Sequence, residues 1–132
     1  MTRFVLLVAA AVLLVTASAA AAAPRSTVTV RSSAYGKILF DGGGRALYAF
    51  TKDPRRKSVC AGACAKAWPP YVVTTRPKAG AGVSAPLVGT TKRADGRTQV
   101  TYNGRPLYTY HGDTPTKILC NGVDGWFVVR AH

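Results

Sequence analysis

Glutamate is absent from this 132-residue chain, and five Asp face 18 Lys and Arg, a formal net charge of +13. Chemistry that needs several carboxylates is therefore poorly supplied. Methionine occurs once, as the first residue, and helix formers other than Ala and Leu are scarce, while the chain holds 13 Gly and 8 Pro. That balance argues against a mostly helical fold. A Gly-x-Ser-x-Gly elbow, a Walker phosphate loop, a His-Glu-x-x-His helix and the Cys-x-x-Cys-His of covalent haem attachment are all missing. These absences point away from an enzyme, and no cofactor is expected.

What the chain does have begins at its start. Met1-Thr2-Arg3 gives a short positive segment, Phe4 to Val15 carries no charge, and Ala17-Ser18-Ala19 has the small-x-small pattern of a cleavage site. Residues 1–19 read as a secretory signal peptide, with cleavage as late as residue 23. An uncleaved anchor is the alternative, but much of Phe4 to Ala23 is weakly apolar Ala and the strongly apolar part is too short to cross a bilayer. No Cys adjoins the cleavage site, so a lipid-modified N-terminal Cys is not expected. The mature chain is expected to be secreted, to contain no transmembrane span and, without Arg3, to keep a net charge of +12.

Sliding the sequence against itself reveals one dominant offset, sixty residues. It places Gly36 on Gly96, Gly44 on Gly104, Arg45 on Arg105, Leu47 on Leu107, Tyr48 on Tyr108, Asp53 on Asp113, Cys60 on Cys120 and Gly62 on Gly122. Each copy reads as a hairpin followed by a loop. In the first, Lys37 to Phe40 and Arg45 to Phe50 flank Asp41-Gly-Gly-Gly44; in the second, Thr98 to Tyr102 and Arg105 to Tyr110 flank Asn103-Gly104, the dipeptide of a type I′ turn. Alternation puts Tyr48 and Phe50 on one face and Leu47 on the other, repeated by Tyr108, Tyr110 and Leu107. Further strands are expected at Ser26 to Arg31, Leu87 to Lys92 and Gly125 to Arg130. Only Ala61 to Ala67 reads as helical, ended by Trp68-Pro69-Pro70. The expected fold is all-β, a single domain over 26–132 with about seven strands and one short helix. Repeat 1 covers 26–78 and repeat 2 covers 86–132, joined by a Pro/Gly/Ala linker at 76–86.

Written as Gly-x-x-Leu-Tyr-x-[Phe/Tyr]-x-x-Asp, the repeat resembles exported bacterial proteins described as secreted repeats of unknown function, or predicted lipoproteins with a Y-x-[FWY]-x-x-D motif. Ser58 to Pro70 and Gln99 to Tyr108 belong to the same resemblance. It assigns Tyr48, Phe50 and Asp53, then Tyr108, Tyr110 and Asp113, as motif residues, and implies no biochemical activity. It also implies a Cys60–Cys64 disulfide, since Cys-x-x-x-Cys recurs there without needing a third Cys; Cys60–Cys120 and Cys64–Cys120 remain alternatives. Cys120, a departure from the family pattern, is then a free thiol.

The motif has a structural reading, in which the aromatics fill the core and the Asp accepts backbone N–H bonds at the strand end. In a binding reading, the two clusters line a groove. Three Cys plus His111 would satisfy the ligand count of a zinc site, and His111 with Cys120 carries the alternative of an extracytoplasmic redox or metal-handling protein. Basic side chains cluster at Lys52, Arg55, Arg56 and Lys57, and again at Lys92, Arg93 and Arg97. Such clusters attract anionic cell-wall polymers, acidic glycans or anionic lipid surfaces. Sequence-specific nucleic-acid recognition is not expected, because no recognition helix or stacking motif is present. The reading reached is a secreted, non-catalytic module binding anionic surfaces or polymers through basic loops.

Overall fold

A computed structural model describes residues 10–15 and 27–131. Most of the expected signal peptide and its cleavage sites lie outside the described residues, as does His132. No helix among the described residues is long and apolar enough to cross a membrane.

Among the described residues, eight strands form three small sheets. Strands β1 (Thr27–Ser33) and β2 (Gly36–Phe40) make an antiparallel pair, to which β4 (Lys78–Ala79) adds in parallel. Strands β5 (Val88–Lys92), β6 (Thr98–Tyr102) and β7 (Arg105–Pro106) form an antiparallel meander. The third sheet joins β3 (Tyr48–Phe50) from the first repeat to β8 (Trp126–Val128) from the second. Helix α1 (Ala63–Ala67) is one short turn and a half, and a 3₁₀ turn spans Ala85–Leu87.

The all-β expectation holds, with two local differences. Strand β4 went unread because two residues carry no alternation; it exists only because Thr27 and Val28 of β1 offer an open edge to Lys78 and Ala79. The second strand of each hairpin is also shorter than its apolar pattern. Leu47 N–H still bonds Leu39 O within its own hairpin, but at Tyr48 the backbone turns to the other copy, exchanging bonds with Tyr108 at 2.8 and 2.9 Å. The turns behave as their residues require: Asn103 and Gly104 take φ of 50° and 75°, which a two-residue hairpin of this type demands.

Backbone bonds define the relation between the copies. Leu47 N–H bonds Leu39 O, Leu39 N–H bonds Val129 O and Val129 N–H bonds Leu47 O; Leu107, Val100 and Tyr71 repeat this ring. The early strands therefore correspond at an offset of 61, because the first hairpin turn is one residue longer, and the segments after the loops at 58, because the second loop is two residues shorter. Trp68 and Trp126 become equivalent, and their rings stack at 4.0 Å with 4° between planes.

Strand β2 and the segments around Leu47–Tyr48 and Leu107–Tyr108 bury apolar groups on both faces, and two cores result. One gathers Val28, Leu39, Leu47, Tyr71, Val100, Tyr102, Leu107 and Val129. The other gathers Ile38, Phe40, Tyr48, Cys60, Trp68, Tyr108 and Trp126. Repeat 1 supplies most of the second core, but Tyr108 and Trp126 of repeat 2 close it, so neither repeat completes it alone. Residues 24–80 and 81–132, prepared separately, are expected to be unfolded by circular dichroism and amide dispersion. Folding of either half in isolation would contradict this shared core.

Candidate functional site

The motif residues of the two copies bond across the repeat boundary. Tyr48 O–H donates to Asp113 Oδ2 at 2.6 Å, and Tyr108 O–H donates to Asp53 Oδ2 at the same distance. Each Asp accepts a second bond from the backbone six residues on: Val59 N–H to Asp53 Oδ1 at 2.8 Å, and Leu119 N–H to Asp113 Oδ1 at 2.9 Å. Their own N–H groups close the strand ends, Asp53 onto Phe50 O and Asp113 onto Tyr110 O. The backbone role expected of the Asp is present, and the cross-repeat phenol is an addition that one repeat read alone does not suggest. Phe50 stacks on Trp126 at 4.2 Å, and Tyr110 packs on Trp68 at 4.7 Å. The tyrosine hydroxyls thus lie inside the molecule rather than along an open groove.

Burial governs the protonation of this cluster. It pushes Tyr108 up to about 12, with the Asp53 carboxylate adding to the shift, and it pushes Tyr48 higher still. Asp53 is raised as well, since loss of water outweighs the Tyr108 and Val59 bonds and the attraction of Arg93.

Around Asp53 lies a polar network, built from residues of both copies, that has no counterpart around Asp113. Arg93 Nη1 donates to Ser58 Oγ at 2.7 Å and to Gln99 Oε1 at 2.8 Å, while Nη2 donates to Cys60 O at 2.7 Å. Ser58 Oγ lies 2.6 Å from Tyr108 Oη. Since the Tyr108 proton is committed to Asp53, Ser58 donates to the phenol, giving one directed chain from Arg93 through Ser58 and Tyr108 to Asp53. Arg93 Nε sits 3.6 Å from Asp95 Oδ2, close enough for ion pairing but not for a hydrogen bond. Around Asp113 the places of Ser58 and Gln99 are taken by Ile118 and, from the first copy, Ile38.

This network corrects one sequence expectation. Arg93 does not belong to a surface basic cluster: it is 6% exposed and pins the loop from within. Its neighbours Lys92 and Arg97 are exposed, with Arg97 bonded to Asp95 at 2.8 Å. The Lys52 to Lys57 loop lies against the β5–β6–β7 sheet through Arg56 N–H to Gly104 O, Arg55 Nη1 to Asn103 O and Thr91 Oγ1 to Arg56 O. Lys52, Arg55, Arg56 and Lys57 are all exposed there, beside Lys92.

Cys60 and Cys64 form the disulfide, and Cys120 is a free, half-buried thiol. The disulfide removes two of the ligands that a three-Cys zinc site with His111 would need. Cys120 contacts the Tyr110 phenol and opposes its ionisation. His111 is exposed, its ring edge-on to Tyr110 at 4.8 Å, and no hydrogen bond joins it to Cys120 among the described residues. Nor does any group of three His, Cys, Asp or Glu gather among the described residues.

A family model described as a secreted repeat of unknown function matches the chain twice, over residues 29–71 and 89–130. The chain belongs to the secreted repeats of unknown function. No curated protein and no solved structure matches it significantly. In this secreted repeat the two matched segments are the two copies whose Tyr and Asp exchange partners. The paired tryptophans and the Arg93–Ser58–Gln99 network were not legible at an offset of sixty; comparison at 58 would have placed Trp68 on Trp126.

Two outcomes test the cluster. Tyr108→Phe, which strands the Asp53 carboxylate and Ser58, is expected to cost about 1–3 kcal/mol in denaturant unfolding. Because Tyr71 and Tyr108 are held near 12 against an ordinary 10, unfolded chains release these protons first as pH rises. Stability is therefore retained below about pH 10 and falls between pH 10 and 12, with late-titrating phenols visible by absorbance at alkaline pH.

Proposed function

We propose that this secreted repeat is a non-catalytic extracytoplasmic module, freed of an N-terminal signal, that binds anionic polymers or surfaces through its basic loops. The supporting observation is how the acids are used. Asp53 and Asp113 are turned inward onto Tyr108 and Tyr48, Asp41 Oδ1 accepts the N–H groups of Gly43 and Arg45 in its own turn, and Asp95 binds Arg97. Among the described residues, only Arg93 and Arg97 have a carboxylate within 4.0 Å. Lys52, Arg55, Arg56, Lys57 and Lys92 are thus exposed to solvent, with Arg55 and Arg56 held against the β5–β6–β7 sheet. Several unneutralised cations on a fixed surface attract a polyanion and release its counterions on contact, which makes binding steeply salt-dependent.

Retention on an immobilised polyanion, measured against salt, tests the reading. Replacing Lys52, Arg55, Arg56 and Lys57 together by Gln is expected to lower the eluting salt and to reduce the log affinity against log salt slope by roughly 3, at about 0.7–0.9 per lost contact. Retention indifferent to both salt and the substitutions would rule it out.

A further inference from the structure

The two copies share a scaffold but differ at the loop after the motif, and the difference has a direction. Arg55 and Arg56 of the first copy correspond to Pro115 and Thr116 of the second, and the buried Arg93 network braces only the first loop. The same stretch also carries a local strain: Arg56 has φ of 57°, unfavourable for a side chain of its kind, and is clamped there by bonds at both its N–H and its carbonyl. Arg55 lies flat on the Asn103–Gly104 turn. A Cβ on Gly104 would stand 2.8 Å from Arg55 Cζ, so glycine is needed there for its positive φ and for the seat it gives the guanidinium. One Arg55 donor is bound to Asn103 O at 3.0 Å, and the rest of the fork stays available.

Both arginines border a recess of about 300 Å³ whose wall includes Gly89, Thr90, Thr101 and Asn103. No carboxylate lines it. The matching recess in the second copy is of similar volume but holds Arg31 over the Phe40 ring at 4.0 Å, with Tyr35, Pro115 and Ile118. One recess is therefore bordered by two arginines beside a polar wall, while the other has a single arginine, Arg31, laid over an aromatic ring.

We propose that the recess beside Arg55 and Arg56 is a subsite for a single tetrahedral oxyanion, a phosphate or sulfate group borne by a flexible polymer chain. This rests on the anion-binding reading above and narrows it. Guanidinium forks match such oxyanions through paired N–H bonds, which lysine cannot do. A braced loop adds to this by leaving little to order on binding. Lys52, Lys57 and Lys92 supply long-range attraction around the subsite.

The test compares two charge-matched double variants of the mature chain at one salt concentration, using long-chain polyphosphate as the probe and phosphatidylglycerol vesicles as a second arm. Arg55→Gln/Arg56→Gln is expected to weaken polyphosphate binding by about tenfold. Lys37→Gln/Lys78→Gln, on exposed positions of β2 and β4, is expected to weaken it less than about threefold, as loss of diffuse charge alone does. Melting curves of both variants establish that the fold is intact. Equal losses in the two variants overturn the subsite and leave the general anion-binding reading standing. Binding to vesicles but not to polyphosphate also overturns the subsite, in favour of a lipid surface. Failure of the unmutated protein to bind either probe defeats the general reading itself.

Discussion

The fold depends on one reciprocal interaction: each repeat's tyrosine hydroxyl is bonded to the other repeat's aspartate. A carboxylate removed from water needs strong partners, and here it receives a phenol from across the interface and a backbone N–H from its own loop. The phenol in turn stays protonated because it is buried against that carboxylate. Each Asp therefore does two things at once, ending its own strand and fastening the opposite copy. Between the bonds, Tyr48 and Tyr108 pair by backbone, and Trp68 stacks on Trp126. The protein is best regarded as an intramolecular dimer whose interface is its core.

From this follows the division of labour between the copies. A symmetric centre tolerates little change, because each motif residue is needed on both sides of the contact. The loops just beyond Asp53 and Asp113 are less constrained, and they have diverged in charge and in bracing. Around the first copy's loop a buried guanidinium from the second copy, Arg93, satisfies Ser58, Gln99 and the Cys60 carbonyl. Burying an unpaired charge is costly, so this network is tolerable only because nearly every donor is matched. Its consequence is a basic loop fixed to the sheet beneath it, with the Cys60–Cys64 disulfide at its far end.

Much of the architecture was readable in the chain. The Asn103–Gly104 turn, the alternation around Leu47, Tyr48 and Phe50, and the recurrence of Tyr and Asp at sixty residues all express local backbone chemistry or internal duplication, which act within a few residues or within the text of the sequence itself. Strand β4 was not readable, since it is a two-residue edge pairing. Arg93 was misread for a related reason. An arginine in a polar hairpin reads as a solvated charge, and only the tertiary approach of Ser58, Gln99 and the Cys60 carbonyl encloses it.

The sequence alone determined a basic, duplicated, β-rich chain with a signal-like start and a motif kept in both copies, because composition, turn residues and repeats need no partner to be recognised. It could not say that the motif closes crosswise. A Tyr and an Asp five residues apart are equally compatible with a bond inside one repeat, and the choice was made by the pairing of Tyr48 with Tyr108 at the centre of the fold. Likewise, charge was legible as a count, but which positive groups face solvent and which serve the interior was decided by packing.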